Sequence, residues 1–214
     1  MIPKPPRRRW LKILLLVVFV AAVGAFLQRE VFLRSLGNLL VVEDPLRPAD
    51  VAIMTTEAEH DGEVELADLL AQQMTSRVGA LIPATSPASR ELVRRGVTPD
   101  SPGRILVALG ARPNTVVLIP AGEGGTTDGT EALAKWCRRQ GIHRVIVVTA
   151  PDHARRVKRA LQRAFGRNGP EVLIHTARYA EFRPVDWWRN RRTLRTGIVE
   201  LEKLLFDYAQ HPLQ

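Results

Sequence analysis

"TVVLIPAGEGGTTDGTEALAKWCRRQGIHRVIVVTAPDHARR", Thr115 to Arg156, decides how this chain folds. Its runs "TVVLI" and "RVIVVT" are apolar without alternation. A strand of that kind is buried on both faces, as in a parallel sheet covered by helices. Between them, "DGTEALAKWCRRQG" carries apolar residues at helical spacing and stops at Gly141. A strand, a helix and a second buried strand make a parallel crossover unit.

The same alternation extends in both directions. "ADVAIM" (Ala49 to Met54) reads as a short buried strand, "GEVELADLLAQQM" as a helix and "VGALIP" as a strand. "PASRELVRRG" reads as a helix ended by Gly96. "SPGRILVALGA" suits a strand by its apolar run and a helix by Ser101-Pro102 and Gly110. "DHARRVKRALQRAFG" predicts a helix, "EVLIHTA" a strand, and the tail from Pro184 a long helix. The fold expected over residues 48–209 is therefore α/β: a Rossmann-like, doubly wound, mostly parallel sheet with helices on both faces. Such sheets bind ligands beyond the carboxyl ends of their strands, where loops and helix N-termini converge.

The N-terminal part has a different character. Lys4, Arg7, Arg8, Arg9 and Lys12 precede or enter "WLKILLLVVFVAAVGAFL", Trp10 to Leu27. Eighteen residues of helix span roughly 27 Å, close to the hydrocarbon thickness of a bilayer. Lys12 can snorkel to the headgroups, and Trp10 suits the interface. The expected organisation is a cytoplasmic basic tail (1–9), a transmembrane signal anchor (10–27), a connecting segment (28–47) that packs on the domain, and the domain outside the cytoplasm. This topology follows the positive-inside rule and predicts a single-pass membrane protein with its N-terminus in the cytoplasm. Val23-Gly24-Ala25 also resembles a cleavage site, so a removed signal peptide is the competing reading.

The formal net charge of +9 owes much to that basic tail. The remaining excess is diffuse, which steers anions without selecting one, and nucleic acid is not an expected partner. Cys137 stands alone, so neither an intrachain disulfide nor a cysteine metal cluster is available. No HExxH, Gly-x-Ser-x-Gly or Gly-x-Gly-x-x-Gly motif occurs, no metal site is expected, and no cofactor is named by the residues.

The chemistry collects at strand ends. In "EGGTTDGTEA", Gly124 and Gly125 let backbone amides approach a ligand, while Thr126, Thr127 and Thr130 add hydroxyls before a helix N-terminus. The structural alternative is a capping box between Asp128 and Glu131. In "TAPDHARR", His153 falls in the first turn of a helix, where the imidazolium is disfavoured and a neutral base or ligand is available. Arg155 and Arg156 follow, with Arg159 on their face, and one could clamp a phosphate or carboxylate. The closing segment sets Trp187 and Trp188 among Arg189, Arg191, Arg192 and Arg195. It reads as packing on the domain, with contact to anionic headgroups as the alternative.

With "TTDGTEA…VVTAPDHARRVKRAL" in view, the chain resembles the YdcF/SanA/ElyC-like family of bacterial envelope proteins, over roughly residues 45–208. Glu123, Thr127, Thr130 and Glu131 resemble one part of the family pattern; Thr149, His153, Arg155 and Arg156 resemble another. "DWWRNRRTLRTGIVELEKLLFDY" resembles its closing segment. The first half departs: "IMTTEAEHDGE" stands where the family has "VLGGG", and Thr55 and Thr56 carry a Cβ where glycines would admit a phosphate. The resemblance implies a role in envelope or peptidoglycan homeostasis, acting on an anionic ligand such as a phosphorylated or lipid-linked precursor, and it would make the membrane of the anchor a bacterial inner membrane.

The expected site thus comprises His153 and Glu123 as catalytic candidates. Gly124, Gly125, Thr126, Thr127, Thr130, Glu131, Thr149, Arg155 and Arg156 are the binding candidates. Whether the protein is an enzyme stays open between hydrolase or transferase chemistry and simple binding. The rival class is a non-catalytic scaffold or regulator with envelope-biogenesis proteins as partners. Nucleotide or S-adenosylmethionine binding rests on sheet type alone.

Overall fold

The computed structural model describes residues 7–97 and 101–212, the side chains of residues 7–9, Ala21, Ala22 and Ala25 excepted. Apart from the backbone of residues 7–9, the expected basic tail lies outside the described residues. The first helix, α1 (Arg7–Leu40), runs from that tail without a break. It is followed by β1 (Val51–Met54), α2 (Glu59–Ala71), β2 (Val78–Ile82), α3 (Pro87–Arg94), α4 (Pro102–Ala108) and β3 (Val116–Pro120). Then come α5 (Thr126–Gln140), β4 (Arg144–Thr149), α6 (Ala154–Phe165), β5 (Glu171–Thr176) and α7 (Arg191–Gln210).

The five strands form one sheet in the order β3-β2-β1-β4-β5, and every neighbouring pair is parallel. Side chains alternate between its faces. Val51, Ile53, Val145 and Val147 pack with Leu133 of α5 and with Val157 and Leu161 of α6. Ala52, Met54, Ile146 and Val148 pack with Leu66 and Leu69 of α2 and Leu106 of α4. Unbroken apolar runs suit β1 and β4 because both of their faces are covered, and each buried Val or Ile contributes about 1.5–3 kcal/mol of transfer free energy. The run "TVVLI" departs from that expectation: β3 is an edge strand, where Ile119 is buried, Val116 and Val117 are half-buried and Leu118 is exposed. This is the doubly wound α/β arrangement.

The ambiguous "SPGRILVALGA" is a helix. Pro102 sits at its first turn, the Ser101 hydroxyl accepts from the Arg104 amide, and only Leu106 is buried. One buried face in three to four residues is a helical demand, and the cap settles what the apolar run left open.

Residues 28–47 divide in two. The first part is the end of α1, whose Leu33, Leu36 and Leu40 pack with Phe182, Trp187 and Leu204. Arg155 caps that end by donating to the carbonyls of Leu39 and Val41. The second part is an extended strap along β5. The Asp44 amide donates to the Ile174 carbonyl (2.9 Å), and the Ile174 amide to Asp44 Oδ2 (3.0 Å). The Thr176 amide and hydroxyl both donate to Glu43 Oε2. The strap covers a sheet edge that would otherwise offer unpaired backbone groups.

Among the described residues no helix is long and apolar enough to cross a membrane. The Trp10–Leu27 run includes Ala21, Ala22 and Ala25, whose side chains lie outside the described set. Its large residues from Trp10 to Val20 are all more than half exposed.

Candidate functional site

The sheet order creates a crevice. The chain leaves β1 towards β2 and leaves β4 towards β5, so the segments following these adjacent strands diverge. Ligands of doubly wound sheets bind at such a switch point. Its floor is a buried hydroxyl pair, Thr55 Oγ1 donating to Thr149 Oγ1 (3.1 Å).

Above the floor, side chains from four elements meet. Thr126, the first residue of α5, donates to Glu57 Oε1 (3.0 Å) in the short turn of helix after β1. Arg156 of α6 donates to Thr126 Oγ1 (2.7 Å) and, through Nε, to Glu200 Oε2 of α7 (2.8 Å). His153 Nδ1 lies 3.0 Å from Arg156 Nη2 and 3.2 Å from Glu200 Oε2. It accepts from the guanidinium when unprotonated and donates to the carboxylate when protonated. Lys203 donates to the other Glu200 oxygen (2.8 Å).

Charge is strongly organised here. Burial pushes Glu200 up, but hydrogen bonds from His153 and Arg156 and the imidazole charge hold its carboxyl down at about 2. Burial likewise opposes ionisation of Glu57, and the His153 charge with hydrogen bonds from Thr126 and Thr56 outweighs it, leaving the pKa below the usual value. Asp152 moves the other way, because burial dominates and raises it. Burial therefore prevails at Asp152, whereas the cationic and hydrogen-bonding partners prevail at Glu57 and Glu200.

His153 stands between two open spaces of opposite character. On one side, a groove of about 770 Å³ is lined by Arg191, Arg192, Arg195 and Lys203 of α7, with Glu200 as its one carboxylate. On the other, a cleft of about 510 Å³ is lined by Glu57, Glu59, Asp61, Asp152 and Glu181. Arg192 and Thr196 border both.

The expected residues divide accordingly. His153, Arg156, Thr126 and Thr149 are brought together at the crevice. Thr127 lines a neighbouring depression with Thr126 and Arg156. Glu123 and Gly125 line a third space with Thr56 and Arg90, in which His153 has no part. Thr130 is buried and returns its hydroxyl to the Thr127 carbonyl (2.9 Å). Glu131 is exposed and pairs with Lys135 (3.6 Å). Arg155 is taken up by the end of α1, and Arg159 by Asp207 (2.5 Å).

The glycine-rich loop is latched from within. Asp128 does not cap α5, whose N-cap is Gly125 at φ 66°; its carboxylate accepts from the Gly124 amide (2.7 Å). An amide facing that carboxylate is not free for an anion, so Gly124 carries no ligand cradle in this conformation. The capping box between Asp128 and Glu131 is not formed either.

Sequence reasoning passed over Glu57, Asp152, Glu200 and Lys203. Glu200 was legible: Thr193, Gly197, Glu200 and Leu204 form the buried stripe of α7, and a carboxylate on such a stripe requires cationic partners. Glu57 depends on the turn after β1, which no periodicity fixes. There Glu59 takes φ 43°, so the backbone adopts a glycine-like conformation without a glycine. Among the described residues no His/Cys/Asp/Glu group is placed to hold a metal ion. Cys137 is fully buried, and burial pushes its thiol up to about 12.

No protein-family model and no curated protein matches the chain. Among solved structures, it is similar to the reductase domain of the aureusimine biosynthetic cluster. The identity is 16%, over 59% of this chain and 40% of that one, with a TM-score of 0.28. The chain thus spans less than half of that domain, and the likeness carries no functional inference.

Proposed function

We propose that the protein is a membrane-anchored envelope protein that binds an anionic, phosphorylated cell-envelope metabolite beside His153. The observation that carries this reading is the groove in which four cations face a single carboxylate. Glu200 is already paired with Arg156 and Lys203, whereas Arg191 and Arg195 have no ion-pair partner among the described residues. Exposed guanidinium groups converging on a concave surface suit the geometry of a phosphate. The carboxylate-rich cleft across His153 suits hydroxyl donors, as a sugar offers them. A glycosyl phosphate would thus place each part against complementary chemistry.

His153 is the candidate acid or base, because one ring nitrogen meets the Arg156–Glu200 pair and the ring borders both spaces. Hydrolase or transferase chemistry at that ligand belongs to the same reading. Anchoring is supported by the Trp10–Leu27 run, the preceding basic tail and the exposure of α1 up to Val20. The loop at Gly124, latched by Asp128, favours a second reading: a non-catalytic scaffold or regulator of envelope-biogenesis enzymes.

A thermal-shift series on the full chain separates the two. Inorganic phosphate, sugar phosphates, nucleotide sugars and polyprenyl phosphates are each added to wild type, Arg195→Ala and Lys203→Ala. Ligand at 100 times its dissociation constant stabilises a protein by about 2.7 kcal/mol. Anion binding requires stabilisation by a phosphate class that both substitutions weaken. Silence across the series supports the scaffold.

A further inference from the structure

His153 and Arg156 stand three residues apart at the start of α6, a spacing that lets their side chains meet. The Arg156 guanidinium is held on two sides. Nε donates to Glu200 Oε2 (2.8 Å) and Nη1 to Thr126 Oγ1 (2.7 Å). The group is planar, so these two bonds fix the direction of Nη2, which lies 3.0 Å from His153 Nδ1. An arginine side chain has donors and no acceptor, so Nδ1 accepts in this contact. The neutral ring then keeps its proton on Nε2.

Glu200 Oε2 is the rival for Nδ1, at 3.2 Å. It already accepts from Arg156 Nε, and Glu200 Oε1 accepts from Lys203 (2.8 Å), so the carboxylate does not depend on the imidazole for a donor. A proton on Nδ1 would also face the fixed Nη2 at 3.0 Å, two donors with no acceptor between them. Only a second proton on the ring turns Nδ1 to Glu200, and Nε2 keeps its hydrogen then as well.

The two ring nitrogens look into different spaces. Glu200 lines the arginine groove and not the carboxylate cleft, whereas Asp152 lines the cleft and not the groove. Nδ1 is on the Glu200 side. Nε2 is on the Asp152 side, 3.9 Å from Asp152 Oδ2 and so beyond hydrogen-bond reach. The Nε2 hydrogen is thus left for a ligand.

We propose that Arg156, aimed by Glu200 and Thr126, is a positioning residue that holds His153 with Nε2–H turned to the cleft, where it donates to an oxygen of the bound sugar phosphate. The inference rests on the reading of groove and cleft as a glycosyl phosphate site, and it makes His153 a donor there instead of a bare base. The carboxylates of the cleft accept from sugar hydroxyls, but the oxygen that joins sugar to phosphate has only lone pairs. That oxygen falls between the two spaces, where His153 stands, and needs a donor that ionised carboxylates cannot supply. Arg156 does not line the groove, so its part is to orient the imidazole and not to hold the phosphate.

The test is long-range proton–nitrogen correlation across the imidazole rings of the full chain, isotope-labelled in histidine, with His153→Gln identifying the His153 signals. With the ring neutral, wild type is expected to carry the hydrogen on Nε2. Arg156→Lys can still pair with Glu200 but has no fork to reach Nδ1, so the ratio of the two tautomers should shift about tenfold towards Nδ1–H. Thr126→Val, which removes one of the bonds that aim Nη2, should shift it in the same direction and less. The His175 signals, set by Glu43 and Glu65, stay in place when the fold is intact. Hydrogen on Nδ1 in wild type overturns the assignment and makes Nε2 a base. An unchanged ratio in both variants overturns the positioning role of Arg156. Calorimetry with glucose 1-phosphate tests the donor: the amide introduced by His153→Gln should nearly retain affinity, and His153→Leu should lose about tenfold. Equal loss in the two overturns the donor role. Absence of binding by wild type contradicts the sugar-phosphate reading, and the ring spectrum then decides the positioning role on its own.

Discussion

Glu200 and His175 show how single ionisable residues hold this molecule together. Glu200 is 2% exposed and tied to Arg156, His153 and Lys203. Removing one member of a buried pair leaves uncompensated charge, so Glu200→Gln should cost about 3 kcal/mol in urea unfolding at neutral pH. The carboxyl titrates lower in the folded protein, at about 2, than its ordinary 4.5. Its stabilisation is present above 4.5 and disappears as pH falls towards 2, so Glu200→Gln and wild type should converge in acid. His175 has the opposite sign. Burial disfavours its charge, but hydrogen bonds with Glu43 and Glu65 raise it from 6.5 to about 9. That stabilisation is complete below pH 6.5 and is lost as pH rises through 9. Wild type should lose about 2 kcal/mol over this window, with Glu43's exposure weakening the pair, and His175→Gln should remove the slope. Neither site announced itself by motif. His175 lay in "EVLIHTA" as one polar residue within a strand, and its partners come from residues 110 and 132 positions away.

At the scale of elements, the junction of α1 with α7 depends on glycine. A Cβ at Gly37 would lie 2.7–2.8 Å from the Pro184 backbone and the Trp187 ring, and backbone cannot yield cheaply. Gly37→Val should separate α1 from the segment around Trp187 at a cost of about 2–3 kcal/mol. Hydrogen exchange would show lost protection around Trp187 and Leu204 while β1 and β4 stay protected. Retained protection at Trp187 would mean that the two helices are held elsewhere. The strands and most helices were legible because strand burial on both faces and helical periodicity are local properties. "RVIVVT" could hardly be anything but a central strand. The strap at Glu43 and Asp44 was less legible, since its contacts depend on which strand lies at the edge of the sheet. The loop at "EGGTTDG" looked like a phosphate cradle because glycines and threonines say nothing of which amide a nearby aspartate will take.

For the whole molecule, the strand order is what assembles the site. Residues that follow β1 and β4 meet because those strands are neighbours, and Thr126 joins them at the start of α5, which crosses from the edge strand β3 to β4; a linear chain does not display that adjacency. The +9 charge, diffuse along the sequence, gains meaning once three arginines and a lysine of α7 are turned to the space beside His153. Binding in that groove should weaken with salt, as exposed arginines are screened beyond about 10 Å at 0.1 M. The most direct test is calorimetric titration of the full chain with the best phosphate ligand, comparing wild type with the Arg191→Gln/Arg195→Gln variant, which leaves the Glu200 pairs intact, at matched ionic strength. Saturable one-site binding by wild type, weakened at least tenfold in the variant while its unfolding midpoint is unchanged, is the expected result. Equal affinity in the two proteins would place the anion elsewhere and contradict the assignment of this groove.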